Sequence, residues 1–203
     1  MGLEIMTIKA ISKNLQETIV EGLESFPTIL FQGDFHCRSA VLMAISEREL
    51  GPSLLLTKRT TNVSTHKGQV SFPGGRREVF DRNMEETALR ETFEEVGIDS
   101  KSVELAGRLN DYLSVTCSLV TPFIGFIHGS PQINKSSQEV AKVLWVPLRF
   151  FLNTKPRIEI SKRFEKNTPV RFFDYEEEVI WGLTANMIMD FLEAVGHKIR
   201  KMV

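Results

Sequence analysis

The sequence predicts an α+β fold, a mixed β-sheet flanked by helices in an α/β/α sandwich. Two observations predict it. Short apolar runs bounded by turn residues fill the stretch from residue 39 to residue 173, whereas strong helical periodicity is confined to the two ends and one central segment. No internal repeat or low-complexity tract interrupts that order. At 203 residues the chain is long enough for one well-filled core.

Taken in order, Ile5, Ile8, Ile11, Leu15, Ile19 and Leu23 recur at helical spacing, so residues 4–25 read as an amphipathic helix. Ser39–Ser46 and Ser53–Thr57 read as strands joined by a hairpin turn at Glu49-Leu50-Gly51-Pro52. A polar loop follows from Lys58 to Lys67. Gln69–Phe72 is a short strand, stopped by Pro73-Gly74-Gly75. Asn83–Val96 is the clearest helix: Asn83 suits the N-cap, Glu85 and Glu86 put negative charge in the first turn, and Gly97 suits a left-handed C-cap. Strands are expected around Glu104–Tyr112, Val120–Ile127, Val140–Val146, Arg157–Ile160 and Val170–Phe173. The run Phe150-Phe151-Leu152 reads as packing, and Thr184–Val195 as a last helix ended by Gly196, with a weak continuation beyond. Residues 1–37 are expected to form a helical extension and residues 38–203 the main domain.

Composition narrows the function. Lys plus Arg total 25 and Asp plus Glu total 26, a net charge of -1, so no bulk attraction to nucleic acid or anionic membrane is expected. No apolar run reaches the ~18 residues of a membrane span. The opening residues lack the basic start and apolar core of a secretory signal, and Lys201-Met202-Val203 is not a peroxisomal address. Cys37 and Cys117 are too few for a disulfide framework and read as small apolar residues in a reducing cytoplasm. The expected partner is a small molecule; the oligomeric state stays open, a homodimer included.

The chemistry concentrates in Arg90-Glu91-Thr92-Phe93-Glu94-Glu95-Val96-Gly97. On a helix Glu91, Glu94 and Glu95 fall within an arc of about 100°, beside an apolar arc formed by Ala88, Leu89, Thr92, Phe93 and Val96. Like charges at i,i+4 repel, so the cluster needs counter-charge. Arg90, four residues before Glu94, is one partner; a hard divalent cation is another, because Mg²⁺ takes oxygen ligands. A solvated acidic face is the plainer reading of three glutamates. Against it stands Phe72-Pro73-Gly74-Gly75, which lets backbone approach a ligand and leads through Arg76-Arg77 to the acidic helix.

These residues carry a resemblance. Gly75–Ile98 resembles the Nudix box, the signature of hydrolases that cleave nucleoside diphosphates linked to another group. The glycine pair, Arg90-Glu91, Glu94-Glu95 and Gly97-Ile98 match; Asp81 stands where a glutamate is usual, and the spacer after it is one residue longer. That spacer resembles the coenzyme A diphosphatase subgroup. So does Leu55-Leu56-Thr57-Lys58-Arg59, followed by Gly68 and Phe72-Pro73-Gly74-Gly75, with Thr60 in place of a small residue and Ser64 in place of an arginine. Asn110-Asp111-Tyr112, Val120-Thr121-Pro122, Glu139-Val140, Trp145-Val146-Pro147-Leu148 and Trp181-Gly182-Leu183-Thr184 resemble the same subgroup.

The resemblance implies a Nudix sandwich and a metal-dependent pyrophosphohydrolase. It implies that Glu91 and Glu95 hold Mg²⁺ or Mn²⁺, that Glu94 is a further ligand or activates water, that the Gly75 carbonyl is an extra ligand, and that Arg90 orients the glutamates. Glu139 is a base, an additional ligand or a structural acid. Arg59, Lys67, Arg76, Arg77 and Gly74 are the candidate substrate contacts, with a solvated basic face as the alternative for the four cations. His66 is a further candidate phosphate contact; His36, His128 and His197 read as surface or packing residues. The implied substrate is coenzyme A or an acyl-CoA, cleaved to 3′,5′-ADP and a 4′-phosphopantetheine product. Another nucleoside diphosphate derivative (ADP-ribose, NADH, a nucleotide sugar) and a catalytically silent ligand-binding module are the alternatives.

Overall fold

The computed structural model describes residues 10–33, 35, 37–61, 67–115, 117–129, 131–161 and 168–203. Its elements run α1 (Lys13–Ser25), β1 (Arg38–Arg48), β2 (Gly51–Arg59), β3 (Val70–Ser71), β4 (Gly74–Arg76), α2 (Met84–Val96), β5 (Val103–Arg108), β6 (Tyr112–Leu113), β7 (Leu119–Ile127), β8 (Val140–Pro147), α3 (Leu148–Asn153), β9 (Arg157–Ser161), β10 (Thr168–Tyr175), β11 (Glu178–Trp181), α4 (Leu183–Phe191) and α5 (His197–Ile199). Short 3-10 and π turns lie at Ser100–Ser102 and Leu192–Gly196.

Eight strands form one mixed sheet along the path β3-β2-β1-β7-β5, with β4 on β1, β6 on β7 and β8 on β2. β1 and β7 are parallel, from Arg38↔Leu119 to Ile45↔Phe126, and the other pairs are antiparallel. β9, β10 and β11 form a separate antiparallel sheet. β1 is apolar without alternation because both its faces are covered. Ala40, Leu42 and Ala44 meet Ala88 and Val96 of α2 on one side. Met43 and Ile45 meet the other cluster, which holds Leu15, Ile19 and Leu23 of α1 and Ala185, Met187, Ile188 and Phe191 of α4. The sheet thus lies between helical layers, as an α/β/α sandwich.

Several expectations are corrected. The first helix begins at Lys13, where Ser12 caps it by accepting from the Leu15 amide, and residues 1–9 lie outside the described residues. β2 runs on through Lys58 and Arg59, so the polar loop starts later. Pro73 does not end extended structure: Gly74-Gly75-Arg76 pair with Val41-Ala40-Ser39 as β4. Gly196 does not end the last helix; the chain passes through a π turn and stays helical to Ile199. Phe150 and Phe151 pack on Phe173, as expected of a packing run. Cys37 and Cys117 are free, and Cys117 is exposed rather than packed. Among the described residues, no helix is long and apolar enough to cross a membrane.

Candidate active site

The site is built from β4, α2 and the end of β2. Asn83 caps α2 by accepting from the Glu86 amide, and Gly97 closes it at φ 76. That left-handed conformation favours glycine. Both ends of the helix are thereby fixed, which sets Glu91 over β4 and Glu95 beside the end of β2.

Gly75 provides the closest approach. A Cβ built there would lie 2.4 Å from Glu91 Oε2, so the Glu91 carboxylate rests against the bare backbone of β4. Gly74 does something different: a Cβ there would lie 2.3 Å from the Ala40 carbonyl oxygen, so this glycine is required for β4 to pair with β1. Arg90 organises the rest. Its Nη1 donates to Glu91 Oε1 at 2.9 Å and to Glu94 Oε2 at 3.1 Å, and its Nη2 donates to the Arg76 carbonyl at 2.9 Å. Its Nε and Nη2 also grip Asp81 through both carboxylate oxygens at 2.9 Å. The expected orienting role of Arg90 therefore has a geometric basis.

The three glutamates differ in depth. Glu94 is largely exposed, Glu91 mostly covered and Glu95 buried. Glu95 meets Thr57 Oγ1 at 3.4 Å and Arg59 Nη1 at 3.5 Å, both at the outer limit of a hydrogen bond. Burial pushes its carboxyl up to about 8, against the pull of Arg59, and the charges of Glu91 and Glu139 push the same way. Burial also raises Glu91, against the opposing effect of Arg90. Glu139 is exposed, just before β8, where its backbone carbonyl accepts from the Thr60 amide at 2.8 Å. Its charge acts on both Glu91 and Glu95, so the loop end, the helix and β4 converge on one region.

Among the described residues, no three carboxylate, imidazole or thiolate groups stand together at metal-binding geometry. Glu91 and Glu94 are turned onto Arg90, and Glu95 faces Arg59. The donor set still suits a hard cation. Buried Glu95 meets its partners only at the outer limit of a hydrogen bond, Glu91 lies on the backbone of Gly75, and all three glutamates offer oxygen. A cavity of about 530 Å³ opens beside Glu94, between the end of α2 and Asn134–Gln138.

The basic candidates separate. Arg59 reaches Glu95. Arg76 and Lys67 are exposed, and Arg76 offers its carbonyl to Arg90. Arg77 donates to the carbonyls of Asp81 and Arg82 at 2.9 and 3.3 Å, so its guanidinium braces the loop into α2. His66 and Ser64 lie outside the described residues, as does His36. His128 meets Glu104 at 2.8 Å on the surface.

Sequence reasoning missed two contributors. Asp81 is more than a variant letter of the box: besides Arg90 it accepts from the Glu78 amide and from Thr87 Oγ1, each at 2.9 Å. The Arg90 guanidinium, with those hydrogen bonds, holds its carboxyl well below the usual carboxylate range. Thr57 is the other, and strand alternation could have found it: residues 57 and 59 of β2 share a face, and Arg59 was already a candidate.

The NUDIX domain family matches residues 36–164. The chain is 37% identical over 146 residues to the uncharacterized Nudix hydrolase NudL of Photorhabdus laumondii, covering 71% of this chain and 78% of that one. It is 37% identical over 163 residues to the uncharacterized Nudix hydrolase NudL of an Enterobacter species, covering 79% and 84%. A MutT/nudix family protein from Enterococcus faecalis shares the fold at a TM-score of 0.55, with 12% identity over 93% of this chain and 76% of that one. With its box folded as loop and helix and its family matched across most of the main sheet, this chain belongs to the NUDIX domain family, as a Nudix hydrolase.

Proposed function

We propose that the protein hydrolyses the diphosphate of coenzyme A or an acyl-CoA, giving 3′,5′-ADP and the (acyl-)4′-phosphopantetheine. The observation that carries the reaction type is the pairing of Glu91 on the bare backbone of Gly75 with a buried, weakly partnered Glu95. In this reading Glu91, Glu95, Glu94 and the Gly75 carbonyl hold Mg²⁺ or Mn²⁺. A divalent cation bound there neutralises the diphosphate and lowers the pKa of water. Arg90 keeps Glu91 and Glu94 aligned, and Glu139, exposed at the rim, accepts a proton from the attacking water. The coenzyme A assignment rests on the stretch Leu55–Arg59 and Gly68–Gly75, which resembles that subgroup's added motif. It is supported by the position of Arg59 beside Glu95, where a guanidinium suits phosphate. Exposed Lys67 and Arg76 are further candidates for the 3′-phosphate. Two free thiols fit work in the cytoplasm.

The test is a substrate panel with Mg²⁺ and with Mn²⁺, read by chromatography. Charge-assisted hydrogen bonds to the 3′-phosphate are each worth roughly 1.5–3 kcal/mol. Coenzyme A should therefore exceed 3′-dephospho-coenzyme A by ~10-fold or more in kcat/KM. In ¹⁸O-water the label should enter phosphopantetheine. Equal rates on the two forms would remove the 3′-phosphate argument. Faster cleavage of ADP-ribose or NADH would assign the same chemistry to another nucleoside diphosphate derivative, and no metal-dependent turnover of any substrate would leave a ligand-binding module.

A further inference from the structure

A second cavity lies on the other face of the main sheet. It measures about 680 Å³ and is lined by Ile29, Phe31, Tyr112, Arg171, Asn186 and Asp190, among others. That volume is in the range of small-molecule sites, roughly 300–1,000 Å³. Gly75 of β4 pairs with Ala40 of β1, Ala40 with Thr121 of β7, and the neighbouring Val120 with Tyr112 of β6. Three strand steps are about 14 Å. Tyr112 and Val120 pack on the cluster that includes α1 and α4, whereas α2 packs on the opposite cluster. The cavity is therefore separate from the box, and none of the proposed metal-binding residues lines it.

Its walls are fixed by a hydrogen-bonded clamp. Asn110 Oδ1 accepts from the Ile29 amide at 2.7 Å, and Asp111 Oδ2 accepts from the Phe31 amide at 3.1 Å. The Asp111 amide donates back to the Ile29 carbonyl at 2.9 Å. These bonds hold the segment after α1 with Ile29 and Phe31 substantially exposed. Across from it, Asn110 Nδ2 and the Tyr112 hydroxyl both donate to Asp190 Oδ2. Burial, and then Asp190, push the Tyr112 hydroxyl well above its usual range, so it remains a donor. Both donors meet the same oxygen, Oδ2, which fixes the Asp190 carboxylate in place and, among the described residues, leaves its Oδ1 open to a ligand. Arg171 donates to Asn186 Oδ1 at 3.0 Å and forms no ion pair with Asp190. The Asp190 carboxylate and the Arg171 guanidinium thus line one mixed cavity, with Asp111 and Glu193, without pairing with each other. The π turn Leu192–Gly196 begins at this same wall, and Leu192 and Glu193 line the cavity. Such turns inside helices are frequent at functional sites.

We propose that this cavity is a second ligand site, for a purine nucleotide monophosphate. Ile29 and Phe31 cover the flat ring from the outside. The Asp190 carboxylate accepts from an exocyclic amine, and Arg171 with Asn186 binds the phosphate. The apolar walls supply contact area; of the four charged lining groups, Asp111 is occupied by Arg108, Thr121 and the Phe31 amide and Glu193 is exposed, so Asp190 and Arg171 set orientation and selectivity. The site stands independently of the substrate assigned to the box.

Equilibrium dialysis of AMP against the full chain in EDTA tests this. Wild-type protein should bind AMP saturably at one site, and adenosine ~10-fold more weakly, the loss expected for one charge-assisted contact. Arg171→Gln and Asp190→Asn should each weaken AMP by ~10-fold or more, because the asparagine amide, held by Tyr112 through its oxygen, turns a donor toward the amine. Glu91→Gln should leave the affinity unchanged. Phe31→Ala, at an exposed position, should leave folding intact and weaken AMP several-fold, which keeps the test alive if a buried variant fails to fold. Absence of saturable AMP binding, an unchanged affinity in Arg171→Gln and Asp190→Asn, or loss of binding in Glu91→Gln would each overturn the proposal.

Discussion

The two ends of the box helix bury one carboxylate each, and they treat it in opposite ways. At the entrance, Asp81 is 4% exposed and accepts from Arg90 through both oxygens, from the Glu78 amide and from Thr87. In the last turn, Glu95 is 3% exposed and, among the described residues, meets only Thr57 and Arg59, at 3.4 and 3.5 Å. The first is held below its ordinary range by its partners; the second is raised to about 8 by burial. Equal burial with unequal partnership separates architecture from chemistry. A buried charge that is fully hydrogen-bonded fixes a fold, and one left short of partners awaits a ligand or a proton.

The sharpest way to test that contrast is to remove charge from the under-partnered end. Glu95→Gln preserves size and helix propensity. Activity should fall at least ~10²-fold, about 2.7 kcal/mol of transition-state stabilisation. Metal-free Glu95→Gln should melt at or above the wild-type temperature, since an uncharged amide removes the cost of holding a buried carboxyl that titrates only at about 8. Near-normal turnover of both Glu95→Gln and Glu91→Gln would sink the assignment of these residues to the metal.

Asp81→Asn should do the reverse, costing fold before chemistry. It leaves Arg90, itself only 18% exposed, without its bidentate partner, and a loss of roughly 2 kcal/mol in urea unfolding at pH 7 is expected. The pH dependence has a definite sign. Because the folded state lowers the Asp81 pKa from its ordinary 3.8, its stabilisation is complete above that value and is lost as pH falls below it. The gap between wild type and Asp81→Asn should therefore be constant near neutrality and narrow below pH 3.8. A gap that widens in acid would contradict the Arg90–Asp81 account.

The same contrast explains what was legible in the sequence. Local signals carried far: Asn83 and Gly97 delimit α2 because cap chemistry acts within one turn, and the β1 and β2 runs are strands because both faces are covered. The proximity of Gly75 to Glu91 was readable from a glycine loop feeding an acidic helix. The clamp on Asp81 was not, because it joins residues nine apart through a turn that only the folded loop defines. β4 was hidden for a related reason: Gly74 and Gly75 carry no side-chain pattern, and their strand register is imposed by β1. β11 was hidden by charge. Its first residue, Glu178, follows two other glutamates and looks solvated, yet it is buried between Lys58 at 2.8 Å and Lys142 at 3.6 Å. Gly196 read as a stop, but a π turn carries the backbone through it in the right-handed region, with φ −57.

Between the two carboxylates, Gly75→Ala separates site from scaffold. The added Cβ would lie within 2.4–2.7 Å of three atoms of the Glu91 carboxylate, the far end of a flexible side chain, and not of any backbone atom. Glu91 should be displaced while β4 stays paired. We expect kcat/KM to fall by ~10-fold, about 1.4 kcal/mol, with the melting temperature nearly unchanged. A variant that lost stability but kept its activity would mean that Gly75 serves the strand, as Gly74 does, rather than the site.

The smallest effect should come from Thr57→Val, and its smallness is informative. Thr57 is buried, and its hydroxyl lies 3.4 Å from Glu95 and 3.5 Å from the Ser71 carbonyl. Bonds that long are weak, so exchanging the hydroxyl for a methyl of similar shape should change stability by less than about 1 kcal/mol. If Thr57 were the true partner of Glu95, its removal would leave a buried carboxylate unsatisfied, at a cost of roughly 1–3 kcal/mol. Chemical denaturation of metal-free Thr57→Val, beside the double variant with Glu95→Gln, measures the coupling directly. A coupling below about 0.5 kcal/mol means that Glu95 is not held by its strand, and that its position is set by α2 and by whatever cation it binds. A coupling of about 2 kcal/mol would make Glu95 a second Asp81, and the distinction between the two ends of the helix would fail.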